Sequence, residues 1–254
     1  MFVDTHLHIG DNFGVNPDLY VENAKANDVG LLIASFCEKD DIMLSTKFVE
    51  KYNCLYASVG YHPEVANKIV DKDYEILEKL VVNNSKIVAI GEIGLDYYWN
   101  KDNKEKQIEV FRRQLEIAER LDIPVFIHSR DSIGELYEIL SEYKVKGVVH
   151  CFSGSLEMAN KFINLGFLLG IGGVLTFKNS KLYQVVEQIP LDSIVLETDS
   201  PYLSPEPNRG KVNESSNIPF IAGSIARIKN VSIEEVAKIT TLNACKLFDL
   251  PYDL

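Results

Sequence analysis

Apolar residues fall into short runs with the alternation of strands, separated by longer stretches with helical spacing. Eight runs read as strands: Phe2–Ile9, Gly30–Phe36, Cys54–Val59, Lys86–Ile90, Pro124–His128, Gly147–His150, Phe167–Ile171 and Ser193–Glu197. Most are apolar on both faces, as buried parallel strands are, and no Pro-Gly hairpin signal joins them. Between them the spacing predicts helices, one opening at Pro17-Asp18-Leu19 and another over Asp71–Val82. The clearest covers Glu105–Leu121, where Ile108, Phe111, Leu115 and Ala118 form one apolar stripe for packing on a sheet. After Glu197 the pattern changes. A proline-rich loop, Asp199–Asn217, leads to helical stretches over Ile218–Lys229 and Ser232–Phe248, the second opening on a capping box, Ser232-x-x-Glu235. Eight strand–helix repeats in 254 residues predict an α/β chain folded as a single (β/α)8 TIM barrel with extra C-terminal helices, residues 1–254 forming one domain.

The polar exceptions to this pattern are concentrated. Strand 1, Phe2-Val3-Asp4-Thr5-His6-Leu7-His8-Ile9, puts Asp4, His6 and His8 on its polar alternation, with two imidazoles roughly 7 Å apart along the strand. All five histidines fall at or just beyond strand ends: His6 and His8 on the first, His62 after the third, His128 ending the fifth and His150 the sixth. Glu92 closes the fourth strand, and Asp199 follows the eighth. Parallel barrel strands bring their C-terminal ends to one mouth, where such barrels build active sites. His6, His8, Glu92, His128, His150 and Asp199 would then share a rim.

This donor set suits zinc, manganese or a mixed site. Six ligands are too many for one tetrahedral ion with an open position, and two ions about 3.5–4 Å apart sharing a carboxylate use them better. Glu92, from the middle of the barrel, is the natural bridge. His6, His8 and Asp199 would complete one site, since strands 1 and 8 meet in a closed barrel, and His128 with His150 the other. Asp4 and Glu197, each two residues before a ligand, are expected to orient imidazoles or a water.

Composition narrows the picture further. A hydrophobic content of 46% can fill a large core, and a formal charge of −11 argues against coating nucleic acid by charge alone. Gripping a short stretch of phosphate backbone through bound cations is still open to such a chain. Cys37, Cys54, Cys151 and Cys245 show no C-x-x-C spacing and read as reduced thiols. With neither a signal peptide nor an apolar span apparent, a cytoplasmic protein is expected.

Six segments in order then carry a resemblance. They are Asp4-Thr5-His6-Leu7-His8, Gly60-Tyr61-His62-Pro63, Gly91-Glu92-Ile93-Gly94-Leu95-Asp96-Tyr97, His128-Ser129-Arg130, His150-Cys151-Phe152-Ser153-Gly154 and Glu197-Thr198-Asp199-Ser200-Pro201-Tyr202-Leu203. In this order they resemble the TatD family of metal-dependent deoxyribonucleases, within the amidohydrolase-like barrels, over nearly the whole chain. The resemblance implies the same six ligands, His6, His8, Glu92, His128, His150 and Asp199, and two divalent ions, magnesium, manganese or zinc. It also implies phosphodiester hydrolysis, often as a 3′-to-5′ exonuclease on single-stranded DNA. The family's loop usually reads Arg-Gly-Lys-Arg-Asn, an acidic residue and Pro. Here it is Arg209-Gly210-Lys211-Val212-Asn213-Glu214-Ser215, with one basic residue fewer and Ser215 in place of the proline.

The expected reaction is hydrolysis of DNA, single strands or ends, with Asp199 accepting a water proton and His62 binding phosphate or protonating the leaving oxygen. Arg130, Arg209 and Lys211 are candidate phosphate clamps, and Tyr97, with Tyr98 and Trp99, is placed to stack a base. The chain is expected to act as a monomer or weak oligomer. Two alternatives are carried. One is a related barrel hydrolase of C–N, ester or phosphotriester bonds, including a deacylase of D-aminoacyl-tRNA. The other is a metal- or nucleic-acid-binding module without catalysis.

Overall fold

A computed structural model describes residues 1–10, 13–99 and 101–252. Eight parallel strands form one sheet in sequential order: β1 (Phe2–Leu7), β2 (Val29–Phe36), β3 (Leu55–Val59), β4 (Ile87–Asp96), β5 (Val125–Arg130), β6 (Gly147–Val149), β7 (Leu168–Ile171) and β8 (Ile194–Leu196). Each expected strand is present, and helices alternate with them. These are α1 (Pro17–Ala26), α2 (Leu44–Lys51), α3 (Asp71–Asn83), α4 (Lys104–Leu121), α5 (Ile133–Leu140), α6 (Leu156–Asn164), α7 (Leu182–Gln188), α8 (Ile218–Lys229) and α9 (Ile233–Phe248).

Helix starts follow their local chemistry. The Asn16 side chain accepts from the Asp18 and Leu19 N–H groups ahead of Pro17 in α1, and Ser232 Oγ accepts from the Glu235 N–H in α9. The α4 stripe works as its spacing predicts, with Phe111, Leu115 and Ala118 fully buried.

The eight-strand sheet curls until β1 meets β8, and the barrel nearly closes. Its interior holds Val3, Ile33, Val88, Phe126, Val148 and Val195, and α9 caps the lower end, Phe248 stacking on Phe126 with ring centroids 4.9 Å apart. A larger apolar layer lies between the strands and the surrounding helices.

Two strands depart from expectation in ways that matter. β4 does not stop near Glu92 but runs on to Asp96, because its pairing with β5 continues through Gly94↔His128, Leu95↔Ser129 and Asp96↔Arg130. Gly94 permits that approach: its φ is +147°, and a Cβ there would lie 2.0 Å from the His128 carbonyl oxygen. In β1 the register against β2 shifts between Asp4 and Leu7. The simple alternation is interrupted, so Asp4 is aimed at Thr198 and Ser215 rather than at the imidazoles two and four residues on.

Candidate metal centre

The strand ends bring His6, His8, Glu92, His128, His150 and Asp199 together at the barrel mouth, as the rim argument expects, and His62 joins them. Glu92 is at the centre and is nearly fully buried. Its two oxygens face different partners. Oε2 lies 3.2 Å from His6 Nε2 and 3.8 Å from His8 Nε2. Oε1 lies 2.7 Å from His150 Nε2, 2.9 Å from His128 Nδ1 and 3.7 Å from His62 Nε2. Asp199 Oδ1 stands 3.5 Å from His8 Nε2 and 3.8 Å from His6 Nε2. Ligand atoms cluster within 4.8 Å in His6–His8–Glu92, His6–His150–Asp199 and His62–Glu92–His128.

Polar bookkeeping shows that this set fits divalent cations. Among the described residues neither buried ring nitrogen of His6 has a hydrogen-bond partner, which is costly unless the one nitrogen that carries a lone pair is bound by something else, such as a metal ion. His128 Nε2 lies 3.1 Å from Asp96 Oδ2 and is best satisfied by donating its proton there. That leaves the bare Nδ1 lone pair of His128, His150 Nε2 and Glu92 Oε1 converging within 3.2 Å. A proton on His150 Nε2 can join them in the metal-free site, and a divalent cation in its place would be shared by all three.

The protonation equilibria reflect how closely these groups are packed. Burial lowers the His150 pKa, but the attraction and hydrogen bond of Glu92, then the charges of Glu197 and Asp199, outweigh it and raise it to about 10. Burial and the nearby His150 push His6 down to about 4. Glu92 is held well below the usual carboxylate range, since His150, His6 and His128 outweigh the effect of burial. Asp199 is lowered despite burial, chiefly by its hydrogen bond with His8. The imidazoles and carboxylates thus hold one another in a tight mixed cluster whose donor set suits divalent cations.

His62 caps a 3-10 turn, Pro63–Lys68, and its Nδ1 accepts the Glu64 N–H at 3.3 Å. The ring proton therefore sits on Nε2, facing Glu92 and the mouth. Burial and the neighbouring His128 push the His62 pKa down to about 3, so the ring is neutral.

Above this floor lies a cleft of about 560 Å³. Arg130 lines it with its guanidinium 3.9 Å from the Tyr98 ring centroid and 5.4 Å from that of Trp99. Phe13 and Tyr202 add apolar surface, while Glu38, Asp41 and Glu64 make one wall acidic. Burial raises the Asp41 pKa to about 6.

Three residues expected at the substrate lie elsewhere. Tyr97 is buried, with its hydroxyl donating to Glu135 at 2.8 Å and Lys104 packed 4.1 Å over its ring, and Tyr98 and Trp99 are the exposed aromatics beside Arg130. The Arg209 guanidinium stacks 3.8 Å from the Phe177 centroid and donates to the Ser204 carbonyl, and Lys211 donates to Asn208 Oδ1. Neither lines the cleft. Asp96, in contrast, escaped notice in the sequence although it holds His128. Its signal was available: Glu92, Gly94 and Asp96 share one face of an unbroken strand.

An eight-stranded parallel barrel with five histidines and two carboxylates gathered at its mouth defines a metal-dependent hydrolase of the TIM-barrel class. The family described as TatD related DNase matches residues 3–249, and the chain belongs to that family. The metal-dependent hydrolase YabD of Bacillus subtilis strain 168 is 39% identical to it, over 98% of this chain and 99% of that one. Among solved structures, YjjV, the TatD homolog of Escherichia coli K12, superposes with a TM-score of 0.91 at 32% identity, covering 98% of both chains. A TatD family hydrolase of Entamoeba histolytica gives 0.87 at 27% identity, covering 97% of both. Among the described residues no helix is long and apolar enough to cross a membrane.

Proposed function

We propose that this hydrolase cleaves phosphodiester bonds in DNA, working from the 3′ end of single strands, in the cytoplasm and with residues 1–254 acting as one barrel domain. The observation that carries this reading is the division of Glu92 between two groups of histidines, with Oε2 toward His6 and His8 and Oε1 toward His128 and His150. One carboxylate placed between two donor clusters fits a pair of divalent ions, magnesium, manganese or zinc. When bound, such ions polarise a phosphoryl oxygen and neutralise charge on the transferring group.

The protein groups divide the remaining tasks. Asp199, held ionised, would accept the proton of the water that attacks phosphorus and return it, directly or through water, to the leaving oxygen as the P–O bond breaks. His62 donates its Nε2 proton to a phosphoryl oxygen as a neutral imidazole, which refines the expectation of a general acid to that of a hydrogen-bond donor. Arg130, flattened against Tyr98 and Trp99, pairs with the adjacent phosphate, and the exposed Trp99 ring offers a face to a base. One arginine beside an acidic wall suits a strand end better than a long duplex tract, whose second backbone Glu38, Asp41 and Glu64 would repel.

The same acidic wall favours a second reading. An aminoacyl ester carries an ammonium group that these carboxylates would receive, so deacylation of D-aminoacyl-tRNA is the alternative. One experiment separates the two. Metal-loaded protein is given 5′- and 3′-labelled single-stranded and duplex DNA and, in parallel, charged tRNA, each with a chelator control. Stepwise loss from the 3′ end of single strands is expected, falling roughly 10²–10⁴-fold in Asp199→Asn with the circular dichroism unchanged. Deacylation without DNA cleavage would replace the nuclease reading.

A further inference from the structure

The barrel is closed most sparingly beside the metal residues. Consecutive strands from β1 to β8 pair as parallel ladders, whereas β1 meets the segment that follows β8 through one isolated bridge, Leu7↔Ser200. Among the described residues two backbone hydrogen bonds accompany it, from the Asp199 N–H to the His6 carbonyl at 2.9 Å and from the His8 N–H to the Ser200 carbonyl at 2.8 Å. His6 and His8 stand on one bank of this seam and Asp199 on the other. The width of the seam therefore sets the distance between them.

Side chains complete what the ladder lacks. Asp4 is fully buried and faces no cation: its partners are all neutral donors. Its Oδ1 accepts from the Thr198 N–H at 3.0 Å and the His6 N–H at 3.3 Å. Its Oδ2 accepts from the Thr198 and Ser215 hydroxyls, both at 2.6 Å. One carboxylate thus grips both banks, holding the His6 N–H on one side and, on the other, Thr198, the residue before Asp199.

Ser215 extends the grip outward. Its Oγ lies 2.8 Å from the Tyr20 hydroxyl, which accepts the Ser215 N–H at 3.0 Å and lies 2.5 Å from Ser200 Oγ. One order of protons satisfies every group: Ser200 donates to Tyr20, Tyr20 to Ser215, and Ser215 to Asp4. Hydroxyls aligned toward one buried carboxylate polarise each other and strengthen the set. Both ties belong to the serine, one through its hydroxyl and one through its N–H.

We propose that Ser215 is a positioning residue of this enzyme, which through Asp4 fixes the spacing of His6, His8 and Asp199 and so the affinity for the divalent ion on that side of Glu92. The proposal rests on the reading of those three as metal ligands. Groups behind a ligand shell commonly contribute about 10–100-fold in metal affinity.

Calorimetric titration of chelator-stripped protein with Mn²⁺, together with melting of the metal-free protein, tests it. Ser215→Ala is expected to weaken binding of one Mn²⁺ by about 10-fold or more, while Ser215→Thr, which keeps the hydroxyl, stays within about twofold. Tyr20→Phe removes a buried hydroxyl from the same network yet leaves the Ser215–Asp4 bond. It should lower the melting temperature as Ser215→Ala does while binding Mn²⁺ within about threefold of the parent, well short of the loss in Ser215→Ala. Unchanged Mn²⁺ affinity in Ser215→Ala, or equal losses in Ser215→Ala and Tyr20→Phe, would overturn the proposal in favour of a purely structural network. Should Ser215→Ala not fold, Ser215→Cys, with its weaker donor, is titrated under the same two criteria. His6→Ala serves as the reference: wild-type Mn²⁺ binding in that variant refutes the ligand reading itself, and this proposal with it.

Discussion

The two halves of the barrel mouth are held by different means. On the β4–β5 side the backbone sets the geometry. β4 is ten residues long, and its ladder with β5 runs from Ile93↔Ile127 to Asp96↔Arg130, so Asp96 and His128 are placed by register, with Glu92 one residue before it in the shift between Ile90 and Ile93. On the β8–β1 side the ladder shrinks to a bridge, supplemented by side chains: a buried carboxylate with its hydroxyl donors, and Thr5 Oγ1 donating to the Leu196 carbonyl. A ladder spreads its load over many equivalent bonds. A side-chain network depends on single atoms, so the β8–β1 half is the one that point substitutions can tune.

The largest expected effect strikes both halves together. Glu92→Gln keeps the shape of the shared residue but removes the charge on which both histidine clusters converge. Turnover should fall to the level of the chelator control, with both ions lost from metal-analysed protein. Retention of two ions by that variant would show that the clusters bind independently.

A smaller effect is expected on the β4–β5 side alone. Asp96 accepts the Nε2 proton of His128 and also the N–H groups of Tyr98 and Trp99 at 2.9 and 3.1 Å, linking a candidate ligand to the aromatic rim. Asp96→Asn should reduce metal affinity or activity by about 10–100-fold, the range for groups that orient a ligating imidazole. A variant with unaltered affinity and a raised KM would assign Asp96 to the rim rather than to His128.

The smallest effect concerns stability and its sign with pH. Glu197 is fully buried: Oε1 accepts the Cys151 N–H at 2.5 Å, and Oε2 has no hydrogen-bond partner. Burial raises its pKa from 4.5 to about 8. Between those values the folded protein holds a proton that the unfolded chain has released, so this contribution to stability is lost as pH rises through the window. In chelator, Glu197→Gln should remove that slope and melt higher than the parent above pH 8. An identical pH profile in the two proteins would mean that Glu197 is ionised in the fold.

What escaped the sequence can be traced to particular residues. Gly91 and Gly94 make the stretch after Ile90 look like a loop, yet Gly94 is there because β5 comes too close for a side chain, and with the strand end Asp96 was missed. The polar alternation of Asp4, His6 and His8 suggested one shared face, but a register shift in β1 turned Asp4 to the seam. The motif containing Arg209 and Lys211 pointed to phosphate, while the loop lays both along its own carbonyls and side chains. The acidic wall joins Glu38 and Asp41 from the β2–α2 loop to Glu64 from the turn after β3, a meeting of two loops that neither stretch shows alone.

By itself the sequence determined eight strands in parallel order, the barrel, and the gathering of His6, His8, Glu92, His128, His150 and Asp199 at one end. The period of a strand and the common direction of barrel strands are local rules, and together they settle which end each residue occupies. Tertiary structure alone decided how far apart those residues stand, which oxygen of Glu92 faces which histidine, and how the last seam closes. Those depend on register, on a bulge and on hydroxyls reaching from Tyr20 and Ser215 across nearly two hundred residues of chain, distances that no local pattern encodes.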